Sequence, residues 1–199
     1  MSDEAEEAVS HFNNLANTAH QYHLVQGEAA IKSLIGFLAR QTTFCFDTET
    51  SSLDELTTTL LGISISYKLG EAYYIAIPTE KKEREEFKAL LNKLFSDTKQ
   101  LKIAHNVKFD LSVLLTEGIE VKGLKFDTMI AHYLLEPDQR HNMDYLSETY
   151  LQYTPVSIES LIGKKGKGQQ SMADLTPEEV SDYACEDADI TFQLKKIHA

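Results

Sequence analysis

The stretch FCFDTETSSLDE, residues 44–55, decides the reading of this chain. An apolar run ends on an acid, Asp47, followed by Thr48 and a second acid, Glu49. Residues 43–46 read as a strand with the acids at its end, and side chains two apart in extended chain leave the same face. Two carboxylates held on one face repel, so the pattern costs stability unless a cation sits between them.

Working outward, Ile31, Leu34, Ile35 and Leu38 fall at helical spacing and predict an amphipathic helix over 28–40, behind a short strand at 22–25. On the other side, 60–67 and 71–77 are rich in Ile, Tyr and Leu and flank Lys68-Leu69-Gly70, a β-hairpin pattern. A charged amphipathic helix over 80–95, a strand over 101–104 and a helix over 106–117 follow, the last with Val107, Leu111, Leu114 and Leu115 along one face. Beyond that the pattern is helical. Asp127 reads as the N-cap of a helix over 128–135, and Asn142 as that of one over 143–150. Thr176-Pro177-Glu178-Glu179 supplies an N-cap, a proline at the first turn and a capping-box Glu ahead of 180–197. Strands early and helices late predict an α/β fold over 18–199, a mixed central sheet flanked by helices, with a linker or frayed segment over 1–17. The chain stops at His198-Ala199 with helix still running, which predicts a fragment of a longer protein.

Composition narrows the class. A chain of 199 residues with 42% hydrophobic content can fill one core. Two cysteines, Cys45 and Cys185, are too few for a disulfide framework or a zinc ribbon and read as small core residues suited to a reducing cytoplasm. No signal peptide and no apolar run of membrane-spanning length is present, so a cytoplasmic protein with no membrane contact is expected. A formal charge of −12 excludes a broad duplex-wrapping surface but suits an enzyme that holds hard cations between carboxylates.

Two further clusters match the first. HNVKFDL, 105–111, places Asn106 and Asp110 four apart on a helix that follows a strand; DYACEDADIT, 182–191, places Tyr183 and Asp187 four apart on the last helix. Residues four apart share a helix face. Singly, each acid reads as a turn, a cap or an exposed helix residue, and Glu186 and Asp189 are read as exposed. Jointly, Asp47, Glu49, Asp110 and Asp187 all fall among core positions, where carboxylates are costly unless paired or metal-bound. Four carboxylates can hold two divalent ions with an all-oxygen set, which suits Mg²⁺ or Mn²⁺. Two ions about 4 Å apart support in-line phosphoryl displacement.

The order D-x-E, N-x-x-x-D, Y-x-x-x-D resembles the DEDD 3′–5′ exonucleases, in the variant whose third motif carries tyrosine. FDTETSSLD, KFDTM, RHNMDYLSETYL, GKKGKGQ and YACEDADITFQL resemble, in the same order, the proofreading exonuclease domain of bacterial family-A DNA polymerases, over roughly residues 22–194. The resemblance implies a ribonuclease H-like fold, removal of nucleotides from the single-stranded 3′ end of DNA, a polymerase domain C-terminal to this one, and a monomer. It implies that Asp47 bridges both metals, that Glu49 and Asp187 hold the ion that activates water, and that Asp110 supports the second ion mostly through water. By the same resemblance Tyr183 orients the attacking water, Leu53 wedges against the terminal base, and Asn106 and Arg140 contact the strand, Arg140 by a charge-assisted bond to phosphate.

His105 stands where the family pattern has glutamine, which alters one expected substrate contact. Lys164, Lys165 and Lys167 lie in a glycine-rich loop that reads either as solvated or as a track for a strand backbone; it is no P-loop, lacking a preceding strand and a terminal GK[ST]. His20, His23, His132 and His141 show no ligand spacing. An RNA-trimming exonuclease like ribonuclease D, and a module that holds a 3′ end without cutting it, are the rival readings.

Overall fold

The structure, a computed structural model, describes residues 12–54, 57–123, 125–166 and 168–198; most of the 1–17 segment and Lys167 of the lysine loop lie outside them. Six strands, β1 (Gln21–Val25), β2 (Thr43–Thr50), β3 (Leu60–Lys68), β4 (Glu71–Ala76), β5 (Leu101–Ala104) and β6 (Lys125–Asp127), form one sheet in the order β1-β4-β3-β2-β5-β6. The β2–β3 and β3–β4 pairs are antiparallel, and β1–β4, β2–β5 and β5–β6 are parallel, so the sheet is mixed as the sequence predicts.

Strand alternation sorts β2 between two cores. Phe44 and Phe46 join Ile63, Ile65 and Ile75 against α1 (Glu28–Leu38), α2 (Lys81–Phe95) and α3 (Val107–Thr116). Cys45 packs on the other face with Ile103 and Phe192 of the long helix that ends the chain, Pro177–His198. That helix also covers Ala72 and Tyr74 through Val180, Ala184 and Cys185. By the same parity Asp47 and Glu49 point toward the C-terminal helix, and Thr48 toward α3.

Three expectations are corrected. Strand β2 does not end before the acids: β3 is long enough to pair Asp47 with Ser64, Thr48 with Ile63 and Glu49 with Gly62, and a bulge follows at Glu49/Thr50. Gly62 lacks a side chain for a reason, since a Cβ there would overlap the buried ring of Tyr74. Asn142 does not cap with its side chain. Asp127 caps two helices at once. Its carboxylate accepts from Met129 N (2.8 Å) and Ile130 N (3.1 Å) at the start of α4 (Thr128–Leu135), and from Val107 N (2.8 Å) at the start of α3. The 143–150 segment is α5 (Met143–Leu146) continued by a π-helical turn, Ser147–Leu151. A short α6 (Ile158–Ile162) and α7 (Pro177–His198) complete the chain, and α7 begins on the predicted capping box, with Glu179 Oε2 accepting from Thr176 N at 2.8 Å.

Glu186 and Asp189 on α7 are not exposed. Both are buried, because donor partners wait for them across the core. Glu186 accepts from the Tyr153 hydroxyl (2.5 Å) and Val156 N (2.6 Å), and Asp189 from the Tyr22 hydroxyl (3.0 Å) and Gly70 N (2.9 Å). Cys45 and Cys185 are buried thiols, and burial pushes Cys185 up to about 12. Among the described residues no helix is long and apolar enough to cross a membrane.

Candidate active site

The C-terminal end of β2, the start of α3 and one face of α7 converge on a cleft of about 760 Å³. Ligand oxygens of Asp47, Glu49 and Asp187 lie within 4.8 Å of one another. Strand parity aims the first two; the helical repeat of α7 puts Tyr183 and Asp187 on one face, opposite them.

Asp110 is held differently. Its Oδ1 accepts from Thr48 N (3.0 Å) and from Thr48 Oγ1 (2.6 Å), so α3 is tied to the β2 backbone between the two acids. It lines the same cleft but stands outside the group of three. Thr48 is therefore the residue that sequence reasoning passed over. Its position between two acids, one residue out of phase with them, was the available signal.

The electrostatics are those of crowded anions. Burial pushes Asp47 up to about 7 and holds Glu49, Asp110 and Asp187 well above the ordinary carboxylate range. The Asp47 charge adds to the rise at the other three, while the Thr48 bonds oppose it at Asp110 and hydrogen bonding from Tyr183 opposes it at Asp187. Burial and the same acids raise the Tyr183 hydroxyl, which therefore stays protonated and able to donate. Glu49 Oε1 is buried and has no hydrogen-bond partner. An unpartnered buried carboxylate oxygen beside two more carboxylates fits a hard divalent cation, which supplies both the charge and the missing contact.

The other anticipated residues divide. Leu53 is 88% exposed at the cleft, a large apolar side chain standing in solvent. Asn106 lines the cleft in a left-handed backbone conformation (φ 61°, ψ 48°), which asparagine tolerates better than most residues. His105 lines it too, buried, with Nδ1 2.8 Å from Thr128 Oγ1. Arg140 does not line the cleft; it is exposed, two residues before Asn142, which does. Lys165 lines the cleft in a place where the sequence left the loop's role open.

A family model described as 3′–5′ exonuclease matches residues 22–197. The chain belongs to this exonuclease family. The DNA polymerase I of Borreliella burgdorferi is 36% identical over 180 residues, covering 89% of this chain and 19% of that protein. The exonuclease domain thus spans about a fifth of the length of the curated relatives it matches. Among solved structures, Trypanosoma brucei RNase D superposes with a TM-score of 0.74 at 15% identity, over 89% of this chain and 65% of that one. Brucella melitensis NrnC with bound Mg²⁺ superposes at 0.63 with 24% identity, over 90% and 80%. At such identities the likeness establishes the fold, and the exonuclease domain has the ribonuclease H-like architecture that the resemblance implied.

Proposed function

We propose that this exonuclease domain hydrolyses the terminal phosphodiester at the 3′ end of a single DNA strand, releasing 5′-mononucleotides as the proofreading part of a DNA polymerase I. The observation that carries the reading is the trio Asp47, Glu49 and Asp187, with oxygens within 4.8 Å and one Glu49 oxygen unpartnered. Two Mg²⁺ or Mn²⁺ ions fit this all-oxygen set and, when bound, supply an activated water and charge for the departing oxygen. NrnC, of the same fold, is described with bound Mg²⁺.

The protein's own groups do the placing. Asp47, Glu49 and Asp187 hold the cations, and Asp110, fixed by Thr48, supports the far side of the cleft from α3. Tyr183, kept protonated by its acidic surroundings, donates to an oxygen at the reacting centre and orients it. Leu53 stacks against the terminal base, and Asn106 and His105 meet the strand at the mouth of α3. The remaining four-fifths of a polymerase I is the partner expected in the whole protein, with this domain acting as one monomeric copy.

A 5′-labelled single-stranded oligonucleotide tests the reading. With Mg²⁺ or Mn²⁺ a ladder shortening from the 3′ end is expected, and chelator abolishes it; an intact strand from a folded protein in both metals overturns it. The shared fold with RNase D leaves RNA trimming as the second reading, and a matched RNA strand in the same assay decides, DNA being cut faster. Tyr183→Phe is expected to lower kcat about tenfold without changing strand affinity, since it removes a positioning group and no metal ligand. An unchanged kcat removes Tyr183 from the reacting centre.

A further inference from the structure

The cleft walls carry Asp47, Glu49, Asp110, Asp144 and Asp187, and among the described residues Lys165 is the one Lys or Arg that lines it. Cations on the carboxylates answer the charge of the bond to be cut. The next phosphates of a strand still face acidic walls, and each brings a negative charge. Arg140, the cation that the family resemblance implied for a phosphate, lies outside the lining.

Lys165 is not at the tip of a loose loop. Helix α6 starts on the Ser157 side chain, which accepts from Glu159 N at 3.2 Å, and ends at Gly163 in a left-handed conformation (φ 85°). The turn beyond is closed on itself: Gln170 N donates to Ile162 O (2.9 Å), and Gln169 Nε2 to Gly163 O (3.2 Å). Both ends of the segment are fastened to rigid elements. Val156 N donates to buried Glu186 on α7 at 2.6 Å, and Ser171 Oγ donates to Ser51 O, just past β2, at 3.0 Å. Residues 156–166 and 168–171 thus form a strap along the cleft, with exposed Lys165 among the residues that line it.

We infer that Lys165 grips the single strand, its ammonium neutralising a backbone phosphate on the 5′ side of the bond to be cut; the inference rests on the hydrolytic reading above. A lysine serves this purpose as a point charge on a flexible stem, which accepts any base sequence.

The test uses Lys165→Gln and Lys165→Arg beside Lys164→Gln, the last an exposed neighbour that does not line the cleft. Affinity for a fluorescein-labelled single strand is read by anisotropy with Ca²⁺ present across a salt series. Turnover is read with Mg²⁺ on the p-nitrophenyl ester of thymidine 5′-phosphate, whose one phosphodiester is the bond to be cut. Lys165→Gln is expected to weaken strand binding about tenfold, as the loss of one charge-assisted contact does. It also flattens the slope of log Kd against log salt by about 0.7, one phosphate on a single strand. Lys165→Arg restores both, and ester turnover stays within about twofold of the parent, since the ester has no upstream phosphate. A Lys165→Gln protein with the Kd and salt slope of Lys164→Gln overturns the inference, and so does an equal loss on strand and ester. A parent that turns over no ester overturns the hydrolytic reading instead, while the anisotropy arm still decides the role of Lys165.

Discussion

Asp47→Ala slows removal of 3′-terminal nucleotides at least about a thousandfold, because charge stabilisation by bound metal contributes several kcal/mol to such reactions. Single-turnover decay of a 5′-labelled strand reads the effect directly; a loss of less than tenfold would remove Asp47 from the metal site. The same substitution acts in the opposite sense on stability. Asp47, Glu49 and Asp187 are crowded, with no cationic side chain among the causes that shift them, and all three carboxyls sit above their ordinary range, Asp47 at about 7. A carboxyl whose affinity for protons is raised by folding stabilises the fold while it is protonated, below the unfolded value of about 4. That contribution is lost as pH climbs through the folded value. With chelator present, the parent is therefore expected to lose melting temperature between about pH 5 and about pH 8, and Asp47→Ala to lose less. Saturating Mg²⁺ returns the parent's loss by binding the native state alone. Parallel pH curves for parent and variant would show that the carboxylates do not strain the metal-free fold.

Glu186→Ala is the second large effect, and it concerns the fold. Removing this buried carboxylate leaves the Tyr153 hydroxyl and Val156 N without their acceptor and opens a cavity beneath the segment that enters the cleft. Unsatisfied buried donors and a cavity together cost about 3 kcal/mol, a fall in Tm of roughly 6–12 °C for a domain of this size. Asp182→Ala, an exposed acid on the same helix, is expected to stay within about 0.5 kcal/mol of the parent. Differential scanning calorimetry with Mg²⁺ compares them. Equal melting temperatures would mean that Glu186 is dispensable to the core.

The two acids at 186 and 187 mark where reading a sequence stops. They are adjacent on α7, and nothing local separates an acid that joins Asp47 and Glu49 from one that anchors a loop. Asp187 was legible because Tyr183 stands one helical turn before it and because Asp47 and Glu49 needed a partner. Glu186 was read as exposed, since its partners are Tyr153 and Val156, 33 and 30 residues away. Tyr22, which holds Asp189, is 167 residues away.

The periodicities are properties of the chain itself. Alternation in Phe44–Cys45–Phe46–Asp47–Thr48–Glu49 assigns apolar and acidic faces whatever the strand pairs with, and the i, i+4 spacing of Tyr183 and Asp187 assigns them one helix face. Local pattern therefore sufficed for the fold class and the capping box at Thr176, and for bringing Asp47, Glu49 and Asp187 to one place, whereas Asp110, read together with them, stands outside that trio. Packing decided the rest. The length of β3 carried β2 on to Thr50, Thr48 of β2 tied down Asp110 of α3, and the fastened strap put Lys165 at the cleft while Arg140 was left outside it. Each of these depends on a partner set in place by the assembled sheet and the helices on its faces, and no local pattern encodes such a partner.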